Sequence, residues 1–203
     1  MKEPDKDTEF LIAKAKTGNK GSRGELVKKF ENKVYNIALK ITGNKEDAGD
    51  VVQETFKKVL EKLDTFRGES KFSTWLYRVT VNTALMKKRK QKRQNSVSLD
   101  KPINTYGGFT LKQQYEDNWS PDPLNKVERE EIGKTIDEAV KELPDKYRTA
   151  IVLKDIQGFS NKEGAKIMNI SVPAFKSRAH RARLKVREKL NEYFSKSRFE
   201  NEL

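Results

Sequence analysis

Residues 159 to 190, FSNKEGAKIMNISVPAFKSRAHRARLKVREKL, constrain the fold more than any other stretch, because they predict a helix-turn-helix. Ser160 and Glu163 form a capping box, in which the hydroxyl and the carboxylate satisfy free amide groups at the start of a helix. Asn169 can adopt the left-handed conformation that ends a helix, and Ser171 can then cap another. These signals predict two helices joined by a tight turn.

The second helix of this pair is strongly basic on its outer side. Its apolar residues recur at spacings that keep one face on a core: Phe175, Ala179, Ala182, Val186 and Leu190. Pro173 is tolerated in its first turn. Basic residues on its other faces are Lys176, Arg178, Arg181, Arg183, Lys185, Arg187 and Lys189. Such a helix suits a phosphate-lined groove, so we favour DNA binding over a merely solvated face. His180 is either a further DNA contact or ordinary surface.

The composition favours a nucleic-acid partner and argues against several kinds of site. The 203 residues include 43 basic and 30 acidic side chains, a net charge of +13, although surplus charge can also serve solubility. With no cysteine and one histidine, we expect no structural zinc site, disulfide or thiol catalysis. The longest apolar runs are only FLIA and AIVL, so we predict a soluble intracellular protein without signal peptide or membrane insertion.

Three helices are predicted in the first third of the chain. The first spans Thr8–Lys16, and the second begins at a capping box of Ser22 and Glu25 and ends at Gly43. Asn44 can cap the third. Inward positions of the third helix are Val52, Phe56, Val59 and Leu63, and outward positions are Asp47, Asp50, Gln53, Glu54 and Lys57. An acidic outer face in a basic protein requires an explanation.

An aromatic and basic segment follows, with a helix capped by Ser73 that runs to about Met86 or beyond. Aromatic and basic side chains lie close together along it: Phe66, Arg67, Lys71, Phe72, Trp75, Tyr77 and Arg78. This combination can stack unpaired bases and hold their backbone. Aromatics at helical spacing are usually interior, however, so Phe72 and Trp75 suit core packing as well. We interpret the basic run Lys87–Arg93 as a backbone contact rather than a solvated helix end.

Residues 94–126 lack a sustained helical period and contain three of the six prolines. We predict a flexible linker, in which Tyr106, Phe109, Tyr115 and Trp119 dock locally. Helices at Val127–Glu142 and from Pro144 to about Asp155 are then expected to brace the helix-turn-helix. No strand alternation or repeat appears, so the predicted fold is all-α, with small helical domains at residues 1–93 and 127–203.

Two segments together resemble the sigma factors of bacterial RNA polymerase, specifically the small two-domain extracytoplasmic-function group. Asp47–Phe56 with Phe66–Tyr77 is similar to that family's region 2, and Leu143–Arg183 is similar to region 4. The resemblance implies a cytoplasmic transcription initiation factor without catalytic residues, cofactor or metal. It also implies three partners: core RNA polymerase, through the clamp helices of its largest subunit and its flap region; promoter DNA; and an anti-sigma factor.

The resemblance and the basic and aromatic patterns together give three sets of candidate binding residues. For the −35 element they are Ser171, Pro173, Lys176, Ser177, Arg178, His180, Arg181 and Arg183. For opening and reading the −10 element they are Phe66, Arg67, Lys71, Phe72, Trp75, Arg78 and Asn82. Within that set, the resemblance implies that Arg67–Phe72 captures a flipped base and that Asn82 reads the unwound strand. For polymerase binding they are Asp47, Asp50, Gln53 and Glu54.

Four positions depart from the family's pattern: Gly49, Gly164, Asn169 and Ala179 stand where an acid, an aliphatic residue, a glycine and a leucine are usual. Glycine inside a helix costs about 1 kcal/mol relative to alanine, and Ala179 packs less than a leucine would. Gly164 and Ala179 together therefore predict a less stable or more adaptable region 4.

Two other functions compete with this interpretation. A helix-turn-helix regulator that works without joining polymerase would explain only the C-terminal half. An enzyme could use Glu46, Asp47, Asp50 and Glu54 as metal carboxylates, but no histidine joins them, and no Gly-rich phosphate loop or nucleophile–base pair is evident.

Overall fold

The computed structural model describes the backbone of residues 6–97 and 123–200, and the side chains of residues 6–94 and 132–195. Every regular element in these ranges is helical, which confirms the all-α class. The elements are α1 (Lys6–Lys16), α2 (Lys20–Thr42), α3 (Lys45–Glu61), a 3₁₀ turn (Leu63–Thr65), α4 (Phe72–Val97), α5 (Pro123–Glu142), α6 (Asp145–Ile151), a π-helical turn (Val152–Ile156), α7 (Asn161–Met168) and α8 (Val172–Glu200).

Helices α1, α3 and α4 pack around α2. Helices α2, α3 and α4 all contact one another, and α1 lies against α2. Fully buried side chains of this core include Leu26, Ile37, Val51, Val59 and Leu76. Burying one such side chain stabilises the fold by about 1.5–3 kcal/mol relative to leaving it exposed. The apolar periodicity of each helix therefore fixes which face turns inward.

Two predicted helix starts are wrong by a turn or less. Helix α2 is capped by Asn19, whose side chain accepts a hydrogen bond from the Ser22 amide, so Ser22 lies inside the first turn. Helix α4 begins at Phe72, which places Ser73 inside the helix rather than at its cap. In both cases a polar residue that fits the capping pattern lies one to three positions after the actual boundary.

The junction between α2 and α3 is as predicted. Gly43 ends α2 in the left-handed conformation with φ 91°, a geometry that glycine adopts without steric cost. The side chain of Asn44 then accepts a hydrogen bond from the Asp47 amide at 2.8 Å and caps α3. Phe56 is buried in the core as expected, whereas Val52 is only half-buried.

The helix-turn-helix is confirmed in detail. The Glu163 amide donates to the Ser160 hydroxyl at 3.2 Å, and the Ser160 amide donates to the Glu163 carboxylate at 3.0 Å, which completes the capping box. Asn169 ends α7 with φ 53°. The Ser171 hydroxyl accepts from the Ala174 amide at 3.3 Å at the start of α8. Local sequence signals therefore determine the turn that orients α8.

The helix before this motif does not remain an α-helix to Asp155 as expected. It continues as the π-helical turn Val152–Ile156, in which the Gln157 amide donates to the Val152 carbonyl at 2.9 Å. This turn carries Asp155, which reaches α8, as described below.

The predicted linker is shorter at both ends, because α4 continues to Val97 and α5 begins at Pro123. Residues 98–122, which include the four aromatic residues expected to dock locally, lie outside the described residues. The division into two domains stays a prediction, and the buried residues of both halves form one hydrophobic cluster. Among the described helices, none is both long and apolar enough to span a membrane.

Candidate nucleic-acid and polymerase interfaces

Helix α8 buries its apolar stripe and exposes polar side chains on the opposite side. Phe175, Ala179 and Ala182 are buried against the rest of the second half. The exposed residues of its second and third turns, which we call the α8 surface, are Lys176, Ser177, His180 and Arg181. All four belong to the predicted −35 set. The α8 surface therefore presents cations and hydrogen-bond donors in the way that a helix reading a DNA groove requires.

The remaining predicted −35 residues have different surroundings. Ser171 and Pro173 are exposed at the start of α8, where the Ser171 hydroxyl serves as a cap. Arg178 is only half-buried. Arg183 is exposed but donates two hydrogen bonds to the Asp155 carboxylate, from Nε at 3.0 Å and from Nη2 at 2.6 Å. This bidentate pair ties α8 to the π-helical turn, a role that the sequence did not reveal for either residue.

The hydrogen bond from Arg181 and the positive charge of Lys146 lower the pKa of the Tyr147 hydroxyl. Tyr147 lies on α6, so α6 also supports a residue of the α8 surface. Two polar groups therefore support α8, Asp155 from the π-helical turn and Tyr147 from α6.

Gly164 of α7 allows the core beneath the α8 surface to close. A Cβ atom built on Gly164 would lie 2.2 Å from Cζ of Phe175, a distance at which one of the two groups must shift. Phe175 is itself fully buried. The missing side chain of Gly164 is the space that the Phe175 ring fills, so this glycine has a packing role that the sequence did not reveal. The lower stability or greater adaptability of region 4 stays a prediction.

The predicted −10 aromatics divide into buried and partly exposed rings. Phe72 is 5% exposed and packs on Phe30 with ring centroids 5.5 Å apart, so its assignment as a base-stacking residue is wrong in this conformation. Tyr77 is also buried, and burial raises the pKa of its hydroxyl to about 12. Helical spacing places these two rings in the core because both lie on the inward face of α4.

Phe66 and Trp75 remain half-buried, with ring centroids 5.3 Å apart. Arg67 and Lys71 are exposed in the loop before α4, and Asn82 is exposed about two turns after Trp75 on that helix. The structure thus leaves two partly accessible rings, two cations and one amide of the predicted −10 set.

Arg78, the last member of the −10 set, is bound within the molecule. Its Nε donates a hydrogen bond to the backbone carbonyl of Lys166 in α7 at 3.0 Å. A contact between residues 88 positions apart has no local sequence signal.

The acidic face of α3 is smaller than predicted. Asp50, Gln53 and Glu54 are exposed, and we call them the α3 face. Asp47 is only 5% exposed, so its assignment as a polymerase contact is wrong in this conformation. Its carboxylate accepts hydrogen bonds from Gln91 at 2.6 and 2.7 Å.

The surroundings of Asp47 explain its ionisation. Burial alone would raise the pKa of its carboxyl, but hydrogen bonds from Asn44 and Gln91 and the charge of Lys87 outweigh burial and lower that pKa. Lys87 also pairs with Asp50 at 2.6 Å. The basic run at the end of α4 therefore has a structural part, in which Lys87 and Gln91 bind α3.

The rest of that basic run is divided between another ion pair and solvent. Lys88 pairs with Asp145 at the start of α6. The exposed members include Arg89, Lys90 and Lys92. Within the part of the chain that the structure describes, no group of three His, Cys, Asp or Glu side chains is arranged to hold a metal ion.

Known protein families match both halves of the chain. The sigma-70 region 2 family model matches residues 26–94, and the sigma-70 region 4 family model matches residues 134–186. The ECF RNA polymerase sigma factor SigW of Bacillus subtilis is 35% identical over 89% of this chain and 95% of its own length. The chain belongs to the extracytoplasmic-function group of sigma factors.

Other relatives of this sigma factor agree. The RNA polymerase sigma-H factor of Pseudomonas aeruginosa is 31% identical over 85% of this chain and 88% of its own length. The sigma factor RpoE of Bartonella quintana, solved in complex with the anti-sigma factor NepR, is 25% identical with a TM-score of 0.65, over 83% of this chain and 96% of that one. CnrH in complex with the cytosolic domain of CnrY, at 24% identity and a TM-score of 0.62 over 90% and 96%, has the same fold.

Membership of this group makes the protein a promoter-directing transcription initiation factor. Both halves of the chain match, which disfavours a helix-turn-helix regulator that acts without polymerase.

Proposed function

We propose that the α8 surface reads the −35 element as duplex DNA. The observation that carries this proposal is the contrast within α8, where Phe175 is fully buried while Lys176 and Arg181 are exposed on the same helix. Side chains of Lys and Arg on a recognition helix bind phosphates and the acceptor edges of guanine. Arg183 acts instead through Asp155 to hold the helix at its angle.

The −10 element is read by the exposed part of region 2. Phe66 and Trp75 offer ring faces for an unpaired base, Arg67 and Lys71 hold its backbone, and Asn82 offers an amide to a base edge. Stacking on an aromatic ring contributes about 1–3 kcal/mol per base. A melted strand therefore gains contacts here that duplex DNA does not have.

Core RNA polymerase binds the α3 face. Asp50 and Glu54 are held in place by exposed ion pairs, with Lys87 at 2.6 Å and with Lys58 at 3.1 Å. Exposed pairs of this kind contribute only about 0–1 kcal/mol, so a basic partner can replace them at little cost. The clamp helices of the largest polymerase subunit and the flap region are the proposed partner surfaces.

An anti-sigma factor is the proposed regulator in the cytoplasm. Two solved neighbours of similar fold are complexes, one with an anti-sigma factor and one with a partner's cytosolic domain. A partner that covers the α3 face or the α8 surface would compete directly with polymerase or DNA.

Run-off transcription tests the function. Core polymerase with this protein is used to select a promoter from a random-sequence DNA library, and transcripts are then measured on that template with and without the protein. We expect specific transcripts only when the protein is present. Lys176→Ala with Arg181→Ala should abolish them, whereas the matched control, Lys28→Ala with Lys134→Ala at exposed sites on α2 and α5, should not. Equal transcription without the protein would contradict the proposal.

A further inference from the structure

The loop of residues 66–71, which we call the Phe66 loop, carries a candidate base-stacking ring and two exposed cations of the −10 set. It lies between the 3₁₀ turn and the start of α4. Its start is held locally, because the Phe66 amide donates to the Leu63 carbonyl at 3.1 Å. Its backbone turns at Gly68, in the left-handed region with φ 76°. A loop of this kind keeps one conformation through contacts from outside it.

One such contact comes from α1. Lys16 is the last residue of α1, and its Nζ donates to the Phe66 carbonyl at 2.7 Å, across 50 positions of sequence. The side chain of Lys16 is half-buried, although lysine is usually exposed. A hydrogen bond from a charged donor is stronger than one between neutral groups. Lys16 therefore fixes the backbone of the residue whose ring is the candidate stacking face.

The end of α1 is itself fixed to the core of region 2. Ile12 and Ala15 of α1 are buried. The Ala15 carbonyl accepts two hydrogen bonds, from Nε of Arg23 in α2 at 3.0 Å and from the Gly18 amide at 3.2 Å. Helix α2, around which this half packs, therefore sets the position from which the Lys16 side chain reaches the Phe66 loop.

Two rings of α4 contact the Phe66 ring. The ring centroids of Phe66 and Trp75 are 5.3 Å apart, and the buried Phe72 ring lies edge-on to Phe66 at 5.6 Å. These apolar contacts are non-directional, so they limit how the ring tilts, whereas the hydrogen bond from Lys16 fixes the direction of its backbone. A side chain that is held in its binding position in advance avoids the ordering cost that binding would otherwise include.

We propose that Lys16 is a positioning residue for the −10 element. Through the Phe66 carbonyl it holds the Phe66 ring where one unpaired base stacks, and it does not touch that base. This inference rests on the proposed function of Phe66. A bond that served only the stability of the fold would matter equally for every base of the strand, whereas a positioning bond matters for the one base that stacks on Phe66.

Removal of single bases from single-stranded DNA tests this difference. Core polymerase with this protein is titrated against the labelled non-template strand of the selected promoter across −10, intact or with one base missing, by fluorescence anisotropy. The ratio of the two affinities at each position is the stacking ratio. We expect one position with a ratio of about 5-fold to 140-fold, which corresponds to one stacked base. Phe66→Ala should remove most of it, because the stacking ring is gone.

Variants of Lys16 then test the positioning role. Lys16→Met removes the donor and should make the stacking ratio at that position about twofold to tenfold smaller, the effect of losing one hydrogen bond. Lys16→Ala, with a strong helix former, should do the same. Lys16→Arg keeps a charged donor and should restore most of the ratio. Lys14→Met is the matched control and should keep the wild-type ratio, because it removes an exposed cation of the same helix. Circular dichroism confirms that each variant is folded.

The results separate failure of the positioning role from failure of the proposed stacking. If Phe66→Ala lowers the stacking ratio and the folded Lys16→Met and Lys16→Ala proteins keep it, the inference is overturned and the stacking stands. Unfolding of both Lys16 variants would also overturn it, since the bond would then serve the fold. If no position has a ratio above one in the wild type, or if Phe66→Ala leaves the ratio unchanged, stacking on Phe66 and its positioning by Lys16 are both wrong.

Discussion

Helices α3 and α8 are both amphipathic, and their exposed sides carry opposite charges. Each buries an apolar stripe, represented by Val51 and Val59 in α3 and by Phe175 and Ala182 in α8. On the exposed side, α3 carries Asp50, Gln53 and Glu54, whereas α8 carries Lys176, Ser177, His180 and Arg181. Packing requirements are met by one side of each helix, so the other side is free to match a partner by charge. The partners that we propose are a protein for α3 and DNA for α8.

Each of these helices also holds one charged residue that was expected to bind a partner and that the fold binds instead. Asp47 of α3 accepts from Gln91, and Arg183 of α8 donates to Asp155. Charged residues near a partner surface therefore have two kinds of role, binding and positioning, and variants can separate them.

The largest expected effect is at the α8 surface. Lys176→Ala with Arg181→Ala should weaken binding to the duplex −35 element by about 2–6 kcal/mol, at about 1–3 kcal/mol for each side chain removed. The slope of log affinity against log salt should fall by about 0.9 for each phosphate that is no longer neutralised. Affinity for core polymerase should not change. An unaltered salt slope in a fluorescence-anisotropy titration would show that these side chains do not bind phosphates.

The complementary variant lies on the α3 face. Asp50→Ala with Glu54→Ala should reduce affinity for core polymerase by about 2–5 kcal/mol, as for charged groups paired across an interface. Thermal melts should show a stability change within about 0.5 kcal/mol, because both side chains are exposed.

Glu31→Ala with Glu138→Ala, at exposed positions on α2 and α5, is the matched control for lost negative charge. The comparison between α3 and α8 fails if the α3 variant keeps polymerase affinity, or if it loses DNA binding instead.

A third effect tests what supports the α8 surface. Gly164→Ala should destabilise the protein by about 1–3 kcal/mol, because the new methyl group overlaps the Phe175 ring. Gly49→Ala in α3 is the matched control, since nothing lies within 4 Å of its Cβ position, and it should stabilise the protein by about 0.5–1 kcal/mol. Adding Phe175→Leu to Gly164→Ala should recover part of the loss. Urea unfolding of the four proteins measures these differences, and a stabilising Gly164→Ala would reject this packing.

The smallest effect concerns Asp47. Its pKa is lower in the folded protein than the ordinary 3.8, so its stabilising contribution is complete above that value and is lost as pH falls through the lower folded pKa. Asp47→Asn should cost about 1 kcal/mol at neutral pH and should lose less further stability than the wild type between neutral pH and pH 3. Parallel acid titrations by circular dichroism would contradict this if the two curves kept a constant separation.

How far the sequence predicted this molecule depended on how local each signal was. The Ser160 capping box, the Asn169 turn and the Ser171 cap involve groups within three residues of one another, and all were predicted correctly. The cap of α2 was not, because Ser22 fits the pattern but Asn19 starts the helix one turn earlier. Apolar periodicity gave the inward face of each helix because burial follows helix geometry.

Errors at the candidate site share a physical cause. Asp47 is bound by Gln91, 44 positions away, and Arg78 by Lys166, 88 positions away. The reason for glycine at position 164 is the Phe175 ring of the next helix, which occupies the space of a side chain. Such pairs form only when helices pack, and periodicity specifies a helix face without specifying which residue meets it.

Direct probing of promoter opening is the most decisive measurement. Permanganate, which oxidises unpaired thymines, is applied to the selected promoter with core polymerase and either wild-type protein or Asn82→Ala, while nuclease footprinting follows the −35 element. We predict reactive thymines at −10 and protection at −35 with the wild type, and protection at −35 with reduced −10 reactivity for Asn82→Ala. Protection at −35 without any −10 opening by the wild type would contradict the account, because the protein would then only bind DNA beside polymerase.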